Sequence, residues 1–220
     1  MVHRTKLPDM ASVANSWGDA RLYASSAVRN SVPLVKTIQR IAPKSGQALE
    51  LASVTGQHIV KLASSLPNLS WLPSEVDEVR LKSISAWTSA ENLPNVTPPM
   101  YLDATETGWA KSLPQFDFIL LVNLLHLISW NETETLINEL PKVLKKNGTV
   151  LVHGPFMRSC KLTSAGDQNF HNNLIKTDPN VGYKNDLDML EVFANSGLLY
   201  LETVEMSANN LAFVLKNRLN

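Results

Sequence analysis

Acidic and polar residues recur in this chain just past its apolar runs, where a strand would hand over to a loop. The stretch LELASVTGQH offers Glu50, Ala52, Ser53 and Gly56, and WLPSEVD offers Glu75, which is 19 residues past Gly56. Farther on, MYLDA supplies Asp103, FDFILLVNLLHLISW carries Asn123 and His126 beyond its apolar core, and TVLVHG holds His153. A strand, a tight turn of small residues and a helix start expose backbone N–H groups, and the helix dipole there favours an anionic or nucleotide-like ligand. A carboxylate about 20 positions after such a turn suits the paired hydroxyls of a ribose. The chemistry these residues suggest is the holding of a nucleoside-bearing cofactor, with His126 and His153 as candidate proton acceptors. Each has a plainer reading: Glu75 as a solvated charge, Asp103 as a helix cap, the two imidazoles as core groups bonded to the backbone.

To bring these residues together the chain needs strands whose carboxyl ends share one edge, and its hydropathy pattern supplies them. VPLVKTIQRIA spaces Val32, Leu34, Val35, Ile38 and Ile41 as a helix, stopped by Pro43 and Gly46. QALELA reads as a strand, Gln57 to Leu66 as a helix, and LSWL as a second strand closing a β-α-β unit. A helix bearing Val79, Leu81, Ile84 and Trp87 leads to the strand MYLDA and then to FDFILLV, whose unbroken apolar run suits a central parallel strand. Asn131 with Glu134 reads as the cap pair of the next helix, and TVLVHG as the strand after it. Residues 155–185 form a polar insert, LDMLEVFANSG a helix, and LYLETVEM with LAFVLKN a closing antiparallel pair. The expectation is an α/β, Rossmann-like, doubly wound sheet with helices on both faces. We take residues 1–220 as a single domain with an N-terminal helical cap (1–45) and a substrate-side insert (155–185). A polar-aromatic leading segment with Arg21, Tyr23, Arg29 and Asn30 would fold over the strand ends and close the site.

Composition narrows the partners. Lys plus Arg and Asp plus Glu both number 20, so no basic excess points to nucleic acid. Cys160 is the single cysteine and has no intrachain partner for a disulfide, and MVHRTKLPDM has no apolar core of a secretory signal. The run from Phe118 to Trp130 is too short and too interrupted to span a membrane, which takes about 20 residues. The expectation is an intracellular, cytoplasmic protein without a membrane or nucleic-acid partner and without a metal site, acting on a small molecule.

The segments LELASVTGQH, WLPSEVD, YLDAT, FDFILLVNLLHLISW, GTVLVHGPF, TDPNVGYKN and MSANNL, with RLYASSAVRNSVPL before them, resemble the successive signatures of the methyltransferase-like twenty-six group, a small branch of the class I S-adenosylmethionine-dependent methyltransferases. The likeness runs from about Arg21 onward. It implies a seven-stranded sheet with the last strand antiparallel, and S-adenosyl-L-methionine as cofactor at the strand ends. By position, Glu50 through Gly56 would wrap the methionine and ribose side, Glu75 would hold the ribose, Asp103 and Ala104 would border the adenine, and Asn123 and His126 would line the floor; Arg29 and Asn30 would close from the leading helix. The chain departs from the group at Val54, where the group has glycine, and at His153, Asp167, His171 and Lys184-Asn185, which replace tyrosine, Asn, Asp and Arg-Asp.

The residues themselves separate this reading from a nicotinamide enzyme. A pyrophosphate needs a bare glycine loop, whereas a sulfonium cofactor with a zwitterionic tail carries no phosphate and accepts a loop that begins with Glu50. No tyrosine here has Lys four residues later, as a short-chain dehydrogenase would require. The expected function is S-adenosylmethionine-dependent methyl transfer to a small-molecule acceptor; the alternative is a non-catalytic protein of the same fold acting as a binding or interaction module. Glu75 is expected to be replaceable at little cost in stability.

Overall fold

The computed structural model describes residues 14–218. The chain opens with a two-residue hairpin, β1 (Asn15–Ser16) and β2 (Leu22–Tyr23), and then enters α1 (Ser25–Ile41). β3 (Gly46–Leu51), α2 (Gln57–Ser65), β4 (Leu69–Glu75), α3 (Glu78–Ala90) and β5 (Met100–Tyr101) form the first half. β6 (Phe116–Val122), α4 (Trp130–Val143), β7 (Leu144–Met157), α5 (Ala165–Thr177), β8 (Lys184–Asn185), α6 (Asp186–Asn195), β9 (Leu198–Glu205) and β10 (Asn210–Asn217) form the second.

Seven strands lie in the order β5-β4-β3-β6-β7-β10-β9, with β8 paired to β7 off this path. β5 through β7 run parallel, and β10 runs antiparallel to both its neighbours. This is the expected Rossmann-like sheet with its last strand reversed. Alternation along β6 explains the two layers. Phe118, Leu120 and Val122 point to one face, where Leu34 and Ile38 of α1, Ile59 and Leu62 of α2 and Ile84 of α3 pack. Ile119 and Leu121 point to the other, against Leu136, Ile137 and Leu140 of α4 and Met189 and Phe193 of α6. A strand covered on both faces cannot alternate polar with apolar, which is why FDFILLV is unbroken.

Two local expectations need correction, and two segments gain detail. The cap of α4 is Ser129 with Glu132, a full capping box, and not Asn131 with Glu134; the hydroxyl that caps lies two residues upstream, beside an apolar run that masks it. MYLDA pairs only through Met100 and Tyr101, because Asp103 turns the chain by accepting from the amide and hydroxyl of Thr105 at 2.8 and 2.6 Å. The insert 155–185 is largely structured: β7 runs to Met157, and Ser164 caps α5. The N-terminal cap is a hairpin followed by a helix, and its residues 1–13 lie outside the described residues.

The strand order reverses between β3 and β6. Their carboxyl ends, at Leu51 and Val122, leave a crevice that the next loops must line.

Candidate functional site

A cavity of about 550 Å³ opens at this reversal. Its floor is Ala52 to Thr55 and His58 from the β3–α2 loop and its helix, with Val122 to Leu124, His126 and Leu127 after β6; α1 covers it with Ala24 to Ala27, Arg29 and Asn30. Gly166, Asp167 and Phe170 of α5, then Tyr183, Pro155, Ala208 and Asn210, close the remaining side.

The β3–α2 loop keeps the backbone of a glycine-rich turn without its glycines. Residues 52, 54 and 56 all have positive φ: 52° at Ala52, 52° at Val54 and 90° at Gly56. Left-handed backbone costs an ordinary residue roughly 1–2 kcal/mol, and a β-branched one is a real outlier. The turn is held by its surroundings: Ser53 N donates to Ser74 O at 2.8 Å, Val54 N to a Glu75 carboxylate oxygen at 3.0 Å, and the Ser83 hydroxyl to Thr55 O at 2.7 Å. Gly56 is required on two counts, since a Cβ there would come within 2.8 Å of Ile84 Cα. Val54→Gly relieves strain at 54 while adding freedom to the unfolded chain, so it should leave the urea midpoint unchanged or raise stability by up to ~1 kcal/mol. A loss larger than that would show that the valine side chain is itself needed.

Among the residues singled out from the sequence, Arg29, Asn30, Ala52, Ser53, Asn123 and His126 line the cavity. Arg29 is exposed and near Ser25, Asn30 is buried with its carbonyl oxygen accepting from Ser207, and Asn123 takes a left-handed φ of 55° and donates its amide to His153 O. Glu50, Gly56, Glu75, Asp103, Ala104 and His153 are not among the lining residues. Glu50 is 1% exposed, and its Oε2 has no hydrogen-bond partner. Burial pushes its carboxyl up to about 8, and the nearby Glu75 charge adds to the rise. Glu75 is 2% exposed and spends its oxygens on Val54 N and Val76 N; burial raises its pKa against the pull of Arg80. A carboxylate that holds the turn cannot be removed at little cost in stability, contrary to expectation. Ala104 packs into the core under β6.

His126 and His153 are buried and neutral, and His58 is half-buried. Burial, then the Lys184 charge, drives His126 down to about 3, and burial drives His153 to about 3 and His58 to about 4. His126 Nδ1, His58 Nε2 and both nitrogens of His153 have no partner. His153 sits inside β7 opposite Val122 and does not reach the cavity.

Sequence reasoning missed His58, Phe170, Tyr183, Pro155 and Asn210 as lining. Their signal lay in the segments themselves: His58 closes LELASVTGQH, Tyr183 lies in TDPNVGYKN and Asn210 in MSANNL. Asp167 and His171 both serve Tyr183, which donates its hydroxyl to Asp167 at 3.2 Å and its amide to His171 Nδ1 at 3.0 Å. Among the described residues no cluster of His, Cys, Asp and Glu could hold a metal ion, and no helix is long and apolar enough to cross a membrane.

The fold is shared with proteins of solved structure. An O-methyltransferase family protein from Burkholderia thailandensis matches 85% of this chain and 56% of its own at 15% identity, with a TM-score of 0.71. An O-methyltransferase family 2 protein from Planctomyces limnophilus, in complex with apigenin, matches 87% and 58% at 16% identity and a TM-score of 0.76. Human N-acetylserotonin methyltransferase, in complex with SAM, matches 85% and 50% at 13% identity and a TM-score of 0.68. The chain thus spans little more than half the length of these proteins. A family model described as "Protein of unknown function (DUF938)" matches residues 21–217, nearly all of the described fold, and the chain belongs to that family.

Proposed function

We propose that this chain is an S-adenosylmethionine-dependent methyltransferase acting on a small-molecule acceptor, within the methyltransferase-like twenty-six group. The observation that carries the reading is the loop from Glu50 to Gly56, where alternate left-handed residues turn the backbone at the reversal of strand order while a buried carboxylate with an unpartnered oxygen stands behind it. With its pKa raised to about 8, this carboxyl keeps its proton at neutral pH, and a cationic partner would draw it into the ionised form. The ammonium of a methionine tail is such a partner; a pyrophosphate is not. S-adenosylmethionine, when bound, supplies a methyl group activated on a sulfonium.

The chain's residues fit this cofactor. Glu50, Ala52, Ser53 and Gly56 would hold the methionine and ribose side and Asn123 the floor, with Arg29 and Asn30 closing from α1; Glu75 would reach the ribose only by leaving the Val54 and Val76 amides, and Asp103 and Ala104 would border the adenine from outside the present lining. Residues 1–45 would act as the cap and 155–185 as the substrate-side insert, since α1, α5 and Tyr183 enclose the cavity. His126 presents a neutral imidazole to that cavity and orients the acceptor more than it takes a proton, because a base of pKa about 3 is weak at neutral pH. What the protein then contributes is proximity and the exclusion of water.

A second reading, a binding or interaction module of the same fold, has one observation in its favour: neither candidate histidine keeps useful base strength at neutral pH. An acceptor whose attacking atom is already unprotonated needs no such base, so transfer remains the first reading. A ligand that binds only the folded state adds about 2.7 kcal/mol at a hundred times its Kd, which for a chain of this size is roughly 5–10 °C in Tm. S-adenosylhomocysteine at about 1 mM should therefore raise the melting temperature by that much, and an unchanged melting curve would overturn both the cofactor and the reaction.

A further inference from the structure

We propose that the methyl acceptor is a small cationic aromatic molecule, and that Asp167 is the side chain that reads its positive charge. The proposal rests on the cavity's being a methyl-transfer site and adds the class of molecule transferred to.

One wall of the cavity is built of rings. His126, Phe170 and Tyr183 all line it, with centroids 5.8 Å apart between His126 and Phe170, 6.0 Å between His126 and Tyr183, and 6.2 Å between Phe170 and Tyr183. Their planes are inclined by 58°, 76° and 67°, so Tyr183 meets both other rings edge to face while His126 and Phe170 are tilted. A wall of this kind favours a flat apolar body. It also favours a cation, because the faces of Phe170 and Tyr183 carry negative potential. His126 does not oppose this, since burial keeps its imidazole neutral.

Asp167 lies on the same wall. Its carboxylate accepts from the Tyr183 hydroxyl at 3.2 Å, from the Ser164 hydroxyl at 2.7 Å and from Asn209 Nδ2 at 2.9 Å. All three donors are neutral, and among the described residues Asp167 has no ion-pair partner. They fix the group without balancing its charge, and a carboxylate has about four acceptor positions, so one is left for a ligand. Burial, with Asp167 beside it, holds the Tyr183 phenol above its ordinary range, which keeps it a donor to Asp167. Arg29 is the one Lys or Arg among the lining residues and is carried by α1 rather than by this wall; Lys184, whose charge acts on His126, does not line the cavity and donates to the carbonyl oxygens of Ile128 and Gly182. An anionic acceptor at the ring wall would meet an unbalanced carboxylate, whereas an ammonium-bearing one gains from it.

Three probes of similar size test this on the full chain by calorimetry, with saturating S-adenosylhomocysteine: tyramine, neutral p-cresol, and the charge-reversed 4-hydroxyphenylacetate. Tyramine should bind at least about tenfold more tightly than p-cresol, and 4-hydroxyphenylacetate more weakly than either; tenfold corresponds to about 1.4 kcal/mol. Asp167→Asn keeps the oxygen that accepts from Ser164 and Asn209 and turns its amide nitrogen to the Tyr183 hydroxyl, which can accept in its turn, and it should lower tyramine to the level of p-cresol while leaving p-cresol and S-adenosylhomocysteine unchanged. Asn209→Ala removes a neutral donor but no charge, and should keep the preference for tyramine. Equal binding of the three probes, or undiminished tyramine binding by Asp167→Asn, would overturn the proposal. The order of the probes on the unaltered chain decides the matter even if a variant does not fold. Absence of S-adenosylhomocysteine binding would sink the methyl-transfer reading instead, and the probe order without it still judges Asp167.

Discussion

The folded chain should be most stable near pH 6.5 and lose stability on either side, more steeply toward acid. His126 and His153 fall to about 3 from the ordinary 6.5, so as the pH drops through that interval the unfolded chain takes up two protons that the folded chain refuses. Each contributes about 1.4 kcal/mol per pH unit, lost as the pH falls from 6.5 toward 3. Glu50 acts in the opposite sense. Its folded pKa is about 8 against 4.5, so the unfolded chain gives up its proton first, and stability is lost as the pH rises from 4.5 to 8. Between pH 4.5 and 6.5 the two histidines outweigh the one carboxyl, leaving a net loss of about 1.4 kcal/mol per unit of acidification. Above 6.5 only the carboxyl's slope remains, at about the same size and opposite sign. The lowered His58 steepens the acid arm. Urea midpoints at about pH 5, 6.5 and 8 measure this; a profile flat across that range would mean that the buried imidazoles and Glu50 are hydrated.

The fold was legible because its central strands are covered on both faces: FDFILLV and TVLVHG need no partner to be recognised. What escaped was short or polar. The β1–β2 hairpin has two residues per strand, too few for a period, and α5 buries only Leu174 among its described side chains, so GDQNFHNN shows no apolar stripe. The displaced cap of α4 has a plain cause, since Ser129-x-x-Glu132 and Asn131-x-x-Glu134 fit one template and only the fold selects between them. At the candidate site, the β3–α2 loop was readable from small residues after an apolar run. The ring wall was not. His126, Phe170 and Tyr183 come from three separate segments, and nothing in spacing along the chain brings them within about 6 Å of one another. Glu75 was placed at the right strand end, but its burial depends on the amides of Val54 and Val76 turning toward it, which no pattern of residue types reveals.

Glu50→Gln separates what the loop does for folding from what it does for binding. Glutamine keeps the shape and removes a charge that is 1% exposed, so the variant should gain on the order of 2–4 kcal/mol at about pH 8, where the unaltered chain bears the cost of a buried carboxylate, and little at about pH 5. The same change removes the group to which a cationic tail would bond, and charge-assisted bonds are worth roughly 1.5–3 kcal/mol. Calorimetric titration of the chain and of Glu50→Gln with S-adenosylhomocysteine at neutral pH tests the central claim most directly. The unaltered chain should give saturable heat, and the more stable variant should bind about ten- to a hundredfold more weakly. No heat from the unaltered chain up to about millimolar ligand, or equal affinity in the two, would contradict it.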